Sequence, residues 1–163
     1  MASSKPQTGN LQSSWSRFCG LTWGERWLLL QAFAFLLVIG AGLQFMNFQR
    51  LRLLLQRSAP VKHDVPGDVA LQQAAALSRL VQAAAGRMPW TITCLVRSTT
   101  LWYLLRRQGL DSEIRIGVNQ QGGEFHAHAW VEFAGIVLND RHDIHRRFIP
   151  FEQIPMPGST KKV

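Results

Sequence analysis

Cysteine is scarce. The 163 residues hold two, Cys19 and Cys94. Two thiols that far apart make no disulfide framework, and a reducing cytoplasm is the simplest setting for them. Acidic residues are also few, 10 against 18 Lys and Arg, for a formal net charge of +8. That surplus admits nucleic acid, an anionic membrane surface or an acidic peptide as partner. No basic patch interleaved with stacking aromatics and no nucleic-acid motif occurs, which sets nucleic acid aside. Residue 2 is Ala, so the myristoylation motif is missing. A signal peptide fits poorly, because the apolar run starts late and no small-residue cleavage site is clear. What remains is a chain 47% apolar and 17% charged, long enough for one domain with a core plus an appendage.

Residues 1–22 are rich in Ser, Gln and Gly and read as a flexible N-terminus. Residues 23–57 form a hydrophobic helical segment. No charge occurs from 27 through 49, which is long enough to cross a bilayer, and Arg50, Arg52 and Arg57 follow. Gln31, Gln44, Asn47, Gly40 and Gly42 argue against a simple span. Packing on the rest of the chain or on a partner is the favoured expectation, with membrane association through 27–49 as the alternative. Either way this helix needs burial. Residues 58–68 carry Pro60, Pro66 and Gly67 and read as a linker. A compact domain is expected over 69–150, and an irregular tail over 151–163. The irregularity starts near Phe148, since Pro150, Pro155 and Pro157 follow. Asp68 suits an N-cap for a helix over 69–85, with Leu71, Ala74, Leu77, Val81 and Ala84 on its apolar face.

The most informative stretch starts at Thr93-Cys94. Thr93 is a capping residue, and Cys94, Leu95, Ser98, Leu101, Trp102 and Leu105 recur at the offsets of one helix face. Arg106 and Arg107 suit the last turn, and Gly109 a left-handed stop. A thiol in the first turn sits at the positive end of the helix dipole, which favours the nucleophilic anion. A free cysteine also often only fills space in a core. Ile114, Ile116 and Val118 alternate with Arg115 and Gly117, so a strand follows; Gln120, Gln121, Gly122 and Gly123 make a loop. A second strand covers 125–133, and Ile136, Val137 and Leu138 form a third that ends at Asn139-Asp140. The order is thus a helix-opening cysteine, a histidine on a strand and an acid at the end of the next. Thiol acyl transfer uses those three types: imidazole moves the proton, and carboxylate holds the imidazole.

These residues resemble a known family. "CLVRSTTLWYLLRRQGLDSEIRIGV", "FHAHAWVEFAG" and "LND" are similar to the core motifs of lasso-peptide leader peptidases, a branch of the transglutaminase-like cysteine superfamily. The resemblance covers residues 90–140 and implies an α+β, papain/transglutaminase-like fold, with helices packed on an antiparallel sheet behind hydrophobic N-terminal helices. It implies Cys94 as nucleophile, His128 as general base and acid, and Asp140 as the orienting carboxylate. His128, directly before Ala129-Trp130, takes the family position rather than His126. Trp90, His126 and Trp130 are candidate substrate-binding residues. No cofactor is implied. The implied partners are a lasso precursor peptide, an asparagine-synthetase-like ATP-dependent cyclase and a separate leader-binding recognition protein. The last follows because residues 1–60 show no alternating strands.

Other readings stay open. His126, His128, His142 and His145 offer two His pairs for zinc, although no Cys pair or His-Glu-x-x-His helix accompanies them. His142, Asp143, His145, Arg146 and Arg147 otherwise read as a solvated surface, or at most a peptide-binding edge. The same triad serves transfer to an amine as well as to water. A membrane-anchored interaction protein without catalysis is the third reading.

The last hairpin sets the triad geometry. A two-residue loop, Ala134-Gly135, pairs Phe133 with Ile136 and sends Asp140 to the sheet face opposite His128. A three-residue loop, Phe133-Ala134-Gly135, pairs Glu132 with Ile136 and puts His128 directly opposite Asp140, with Gly135 in the left-handed position. The three-residue loop is therefore the expectation.

Overall fold

The computed structural model describes residues 23–59, 67–121, 124–141 and 143–150. The N-terminus 1–22 with Cys19, most of the linker, Gly122-Gly123, His142 and the tail 151–163 lie outside the described residues. The element order is α1 (Trp23–Phe45), α2 (Phe48–Ser58), α3 (Gly67–Ala85), α4 (Cys94–Arg107), β1 (Glu113–Gln121), β2 (Glu124–Phe133), β3 (Ile136–Val137), α5 (Ile144–Arg147) and β4 (Ile149–Pro150). The strands form one antiparallel sheet in the order β3-β2-β1-β4. This is the α+β arrangement expected from the sequence.

Burial of α1 follows its periodicity. Leu29, Ala32, Leu36 and Ile39 recur every three or four positions and are all buried, packed with α3 and α4. α3 presents Ala70, Ala74, Leu77, Ser78, Val81 and Ala84 to the same core. The small side chains let the helices approach closely. α3 starts at Gly67, so Asp68 stands in the first turn rather than at the cap, where its carboxylate still meets the positive helix end. The opposite stripe of α1 is apolar as well: Trp23, Trp27, Leu30, Leu37, Val38 and Phe45 are exposed. By length and composition α1 suffices to cross a membrane, yet one of its faces belongs to the core.

Ile114 and Val131, paired across β1 and β2, face the helices together with Leu101, Leu104 and Leu105 of α4. The other sheet face carries a smaller cluster of Trp130, Val137, Ile144 and Phe148. The segment 144–150, expected in part to be solvated surface and irregular tail, supplies that cover. α5 exposes His145, Arg146 and Arg147 but buries Ile144, and β4 pairs Pro150 with Gly117 and Ile149 with Val118. As an edge strand, β4 tolerates a proline.

The last hairpin corrects the expected register. Phe133 pairs with Ile136 and Glu132 with Val137, so the loop is the two-residue Ala134-Gly135. Both loop residues have positive φ, 49° and 76°. That is the type I′ turn, whose twist matches the strands it joins. Alanine is poorly suited to the first position, because its Cβ crowds the carbonyl in left-handed backbone. Ala134→Asn should therefore raise stability by about 0.5–1 kcal/mol, read as a higher Tm. An unchanged or lower Tm would mean that Ala134 carries no such strain.

Candidate active site

Cys94 is the first residue of α4, and both ends of that helix are fixed. Thr93, in extended backbone at the cap, accepts a hydrogen bond from the Val96 N–H at 3.3 Å. At the other end Gly109 has φ 79°. The Leu110 N–H donates to the Leu105 carbonyl at 3.0 Å and the Gly109 N–H to the Arg106 carbonyl at 3.0 Å. These paired bonds are the Schellman stop that the sequence suggested. From Ser98 through Leu105 every residue is buried. Cys94 itself is a half-buried free thiol.

His128 lies on β2, half-buried and opposite Gly117 on β1. Its ring stacks on Phe148 with centroids 5.1 Å apart, and its Nε2 stands 2.5 Å from Asp140 Oδ2. The other Asp140 oxygen accepts the Arg141 N–H at 2.7 Å. A carboxylate only accepts, so in this pairing Nε2 carries the hydrogen and Nδ1 keeps its lone pair. His128 and Asp140 thus meet despite the two-residue loop.

They meet because the chain leaves the sheet after Val137. The Leu138 N–H still donates to the Val131 carbonyl at 3.0 Å. In a regular ladder the Leu138 carbonyl would accept the Val131 N–H in return. Instead it accepts the Ser78 hydroxyl of α3 at 2.8 Å, and the Asn139 Oδ1 takes the Val131 N–H at 2.8 Å. Register arithmetic no longer applies to Asp140, which is carried back to His128 by a bend. The Ala129 carbonyl shares the strand edge of Val131, two residues on. There it accepts the Ser98 hydroxyl of α4 at 2.8 Å. So α4 enters at the edge that β3 vacates, one turn after Cys94, between the segments bearing His128 and Asp140.

Among the described residues the Cys94 thiol makes no hydrogen bond, and it stands one helical turn before the Ser98 that docks on this edge. Catalytic hydrogen bonds are often loose in an empty site. Trp90 is 54% exposed and stands between two grooves beside the segment that leads into Cys94. One groove of about 330 Å³ is bounded by Leu37, Gly40, Ala41, Ile92 and Thr93; the other, about 540 Å³, by Gln82, Met88 and Arg97. His126 is exposed on the His128 face of β2, paired with Asn119. Trp130 is fully buried, and its indole N–H donates to Glu132 Oε1 at 2.6 Å. It shapes the floor beneath the site and has no surface to offer a peptide. His145 Nε2 lies 3.2 Å from the same Glu132 oxygen. Among the described residues no three of His, Cys, Asp and Glu gather closely enough to hold a metal ion.

Three residues of the site escape a reading by type alone. Ser98 had one signal, a hydroxyl on a buried helix face four residues after the cysteine. Asn139 was legible only as the neighbour of Asp140. Phe148, beneath the imidazole, was assigned to the tail because prolines follow it.

A family model described as the Transglutaminase-like superfamily matches residues 35–152, well over half of the chain. The chain belongs to that superfamily, which is one of cysteine peptidases and acyltransferases. No curated protein and no solved structure matches it. The matched stretch begins inside α1, in keeping with the single core that α1 shares with α3 and α4.

Gly117 keeps the floor of the site thin. A Cβ there would stand 2.9 Å from the Ile149 carbonyl oxygen and 2.9 Å from the Trp130 ring. Neither yields easily, one being backbone and the other a buried indole. Gly117→Ala should cost about 1–3 kcal/mol by chemical denaturation. A cost near zero would show that β4 moves freely.

Proposed function

We propose that this chain is a cysteine peptidase that removes the leader from a ribosomally made lasso-peptide precursor. Cys94 is the nucleophile, His128 the general base and acid, and Asp140 the orienting carboxylate. The observation that carries the reading is the His128–Asp140 contact, at 2.5 Å, beside the strand edge where Ser98, one turn after Cys94, docks on the Ala129 carbonyl. Family membership supports the acyl chemistry.

The steps follow from the groups present. His128 Nδ1 takes the Cys94 proton, and sulfur adds to the scissile carbonyl carbon. The Cys94 N–H, in the first turn, lacks an intrahelical acceptor and is available to the developing oxyanion. Collapse breaks the C–N bond, with His128 passing its proton to the leaving amine and a thioester remaining. Water, deprotonated by His128, then releases the leader's new carboxylate and restores the thiol. Asp140 holds the ring orientation and stabilises imidazolium throughout. Trp90 and the exposed His126 are the side chains best placed to meet peptide.

The partners in this reading are the precursor, a separate leader-binding recognition protein and an ATP-dependent asparagine-synthetase-like cyclase. The location is the cytoplasm. A span through 27–49 fits poorly with a helix whose Leu29, Ala32, Leu36 and Ile39 lie in the domain core. A membrane contact made only by the outward stripe of α1 would leave that core intact.

The test is incubation of purified protein with precursor and leader-binding protein, with and without cyclase and ATP, followed by mass spectrometry. A cut between leader and core is expected, falling at least about 10³-fold in Cys94→Ala with Tm nearly unchanged. Cys19→Ala should cleave like the parent. Full cleavage by Cys94→Ala sinks the thiol mechanism, and incorporation of an added amine in place of hydrolysis would make the chain an acyltransferase.

A further inference from the structure

The structure assigns Ser98 and Asn139 a joint role as positioning residues, a two-side-chain strut that sets Asp140 against His128. The proposal rests on the reading of Cys94, His128 and Asp140 as the reacting set.

Each link is a specific hydrogen bond. Ser98 is fully buried, one helical turn after Cys94. Its hydroxyl donates to the Ala129 carbonyl, next to His128, at 2.8 Å and accepts from Asn139 Nδ2 at 2.8 Å. Asn139, next to Asp140, accepts the Val131 N–H on Oδ1 at 2.8 Å. Thus both ends of the Asn139 amide are held, one by α4 and one by β2. The hydroxyl donates its single hydrogen and offers a lone pair, so this chain of donors has one consistent direction.

The arrangement substitutes for a missing strand. Past Val137 the ladder on this edge of β2 ends, its last backbone bond among the described residues being the Leu138 N–H on the Val131 carbonyl, and a buried carbonyl or N–H left unpaired beyond it would be costly. Ser98 and Asn139 satisfy one group each. In doing so they tie three segments that the backbone alone leaves independent: α4, β2 and the bend carrying Asp140. Asp140 lies outside any strand ladder, so no regular backbone pairing fixes its distance to His128. A displacement of about 1 Å at such a contact suffices to cost about 10²-fold in rate.

Neither residue touches the reacting atoms, so the test must separate positioning from ordinary stability. In a Cys19→Ser background, where Cys94 is the single thiol, the rate of Cys94 alkylation by iodoacetamide is measured alongside precursor cleavage and Tm. Asn139→Ala and Ser98→Ala are each made alone and combined with Asp140→Ala. With Asp140 present, each is expected to slow alkylation of folded protein about tenfold or more and to lower kcat with KM little changed. With Asp140 already replaced, the same substitutions should change the rate less than about twofold, because nothing remains to be positioned. Should Asn139→Ala fail to fold, Ser98→Ala, which removes one oxygen atom, decides the matter. Equal losses in the two backgrounds, or folded variants that react at the parent rate, overturn the strut. Alkylation that follows the expected pattern while the parent cleaves no precursor would instead overturn leader peptidase activity and leave the strut standing.

Discussion

The departure of β3 from β2 after Val137 is the constraint on which the site depends. A longer β3 would close the edge of β2 with backbone, shutting out α4, and would send Asp140 to the far face of the sheet. The ladder stops after two pairs, and the chain turns toward α3, where the Ser78 hydroxyl holds the Leu138 carbonyl. The vacated edge is a row of backbone donors and acceptors in the interior. Ser98 takes up the Ala129 carbonyl and Asn139 the Val131 N–H, while the Leu138 N–H keeps the Val131 carbonyl. One local choice therefore both admits the cysteine helix and frees the carboxylate to swing back to His128.

That choice is tenable because the rest of the domain is stiff. α4 is buried over most of its length, with Trp102 donating its indole N–H to the Ser112 carbonyl at 3.0 Å and Tyr103 packed edge-on against Phe35 of α1 at 4.9 Å. Beneath the imidazole, Phe148 and Trp130 form a second small core with Val137 and Ile144. Without α1 the inner faces of α3 and α4 would be open to water. The hydrophobic segment therefore bears on the candidate site indirectly, by fixing the helix whose first residue is Cys94.

Much of this was legible from residue order, and the reasons are local. The cap at Thr93, the stop at Gly109 and the strand β1 are written in single side chains or in a period of two, and the structure contains all three. The apolar face of α1 was visible, but its partner was not, since periodicity says that a stripe is buried without saying against what. The hairpin register was misread for a physical reason. Glycine at 135 satisfies both turn types, and the decision fell to Ala134, which takes a left-handed conformation that alanine seldom adopts. His128–Asp140 proximity was foreseen through a register that does not occur. The two residues meet by leaving the ladder, which no period-two argument contains.

The three residues of the proposed triad are held with unequal firmness, and this explains where the supporting residues sit. Cys94 rides on a helix capped at both ends, and His128 on a central strand paired with β1 from Glu124 through Glu132. Asp140 lies in a bend with no ladder of its own. A side chain on such a segment keeps its position only if its neighbours are tied to something rigid. Leu138 is tied to α3, Asn139 to both β2 and α4, and the Asp140 carboxylate to the Arg141 N–H as well as to His128. Several of the polar bonds of the domain interior thus gather on a segment that regular structure leaves loose. A network with that distribution is hard to account for as general stabilisation, since burying a hydroxyl and an amide gains little over an apolar pair of the same shape. It is accounted for if what must be conserved in space is the distance from one carboxylate to one imidazole.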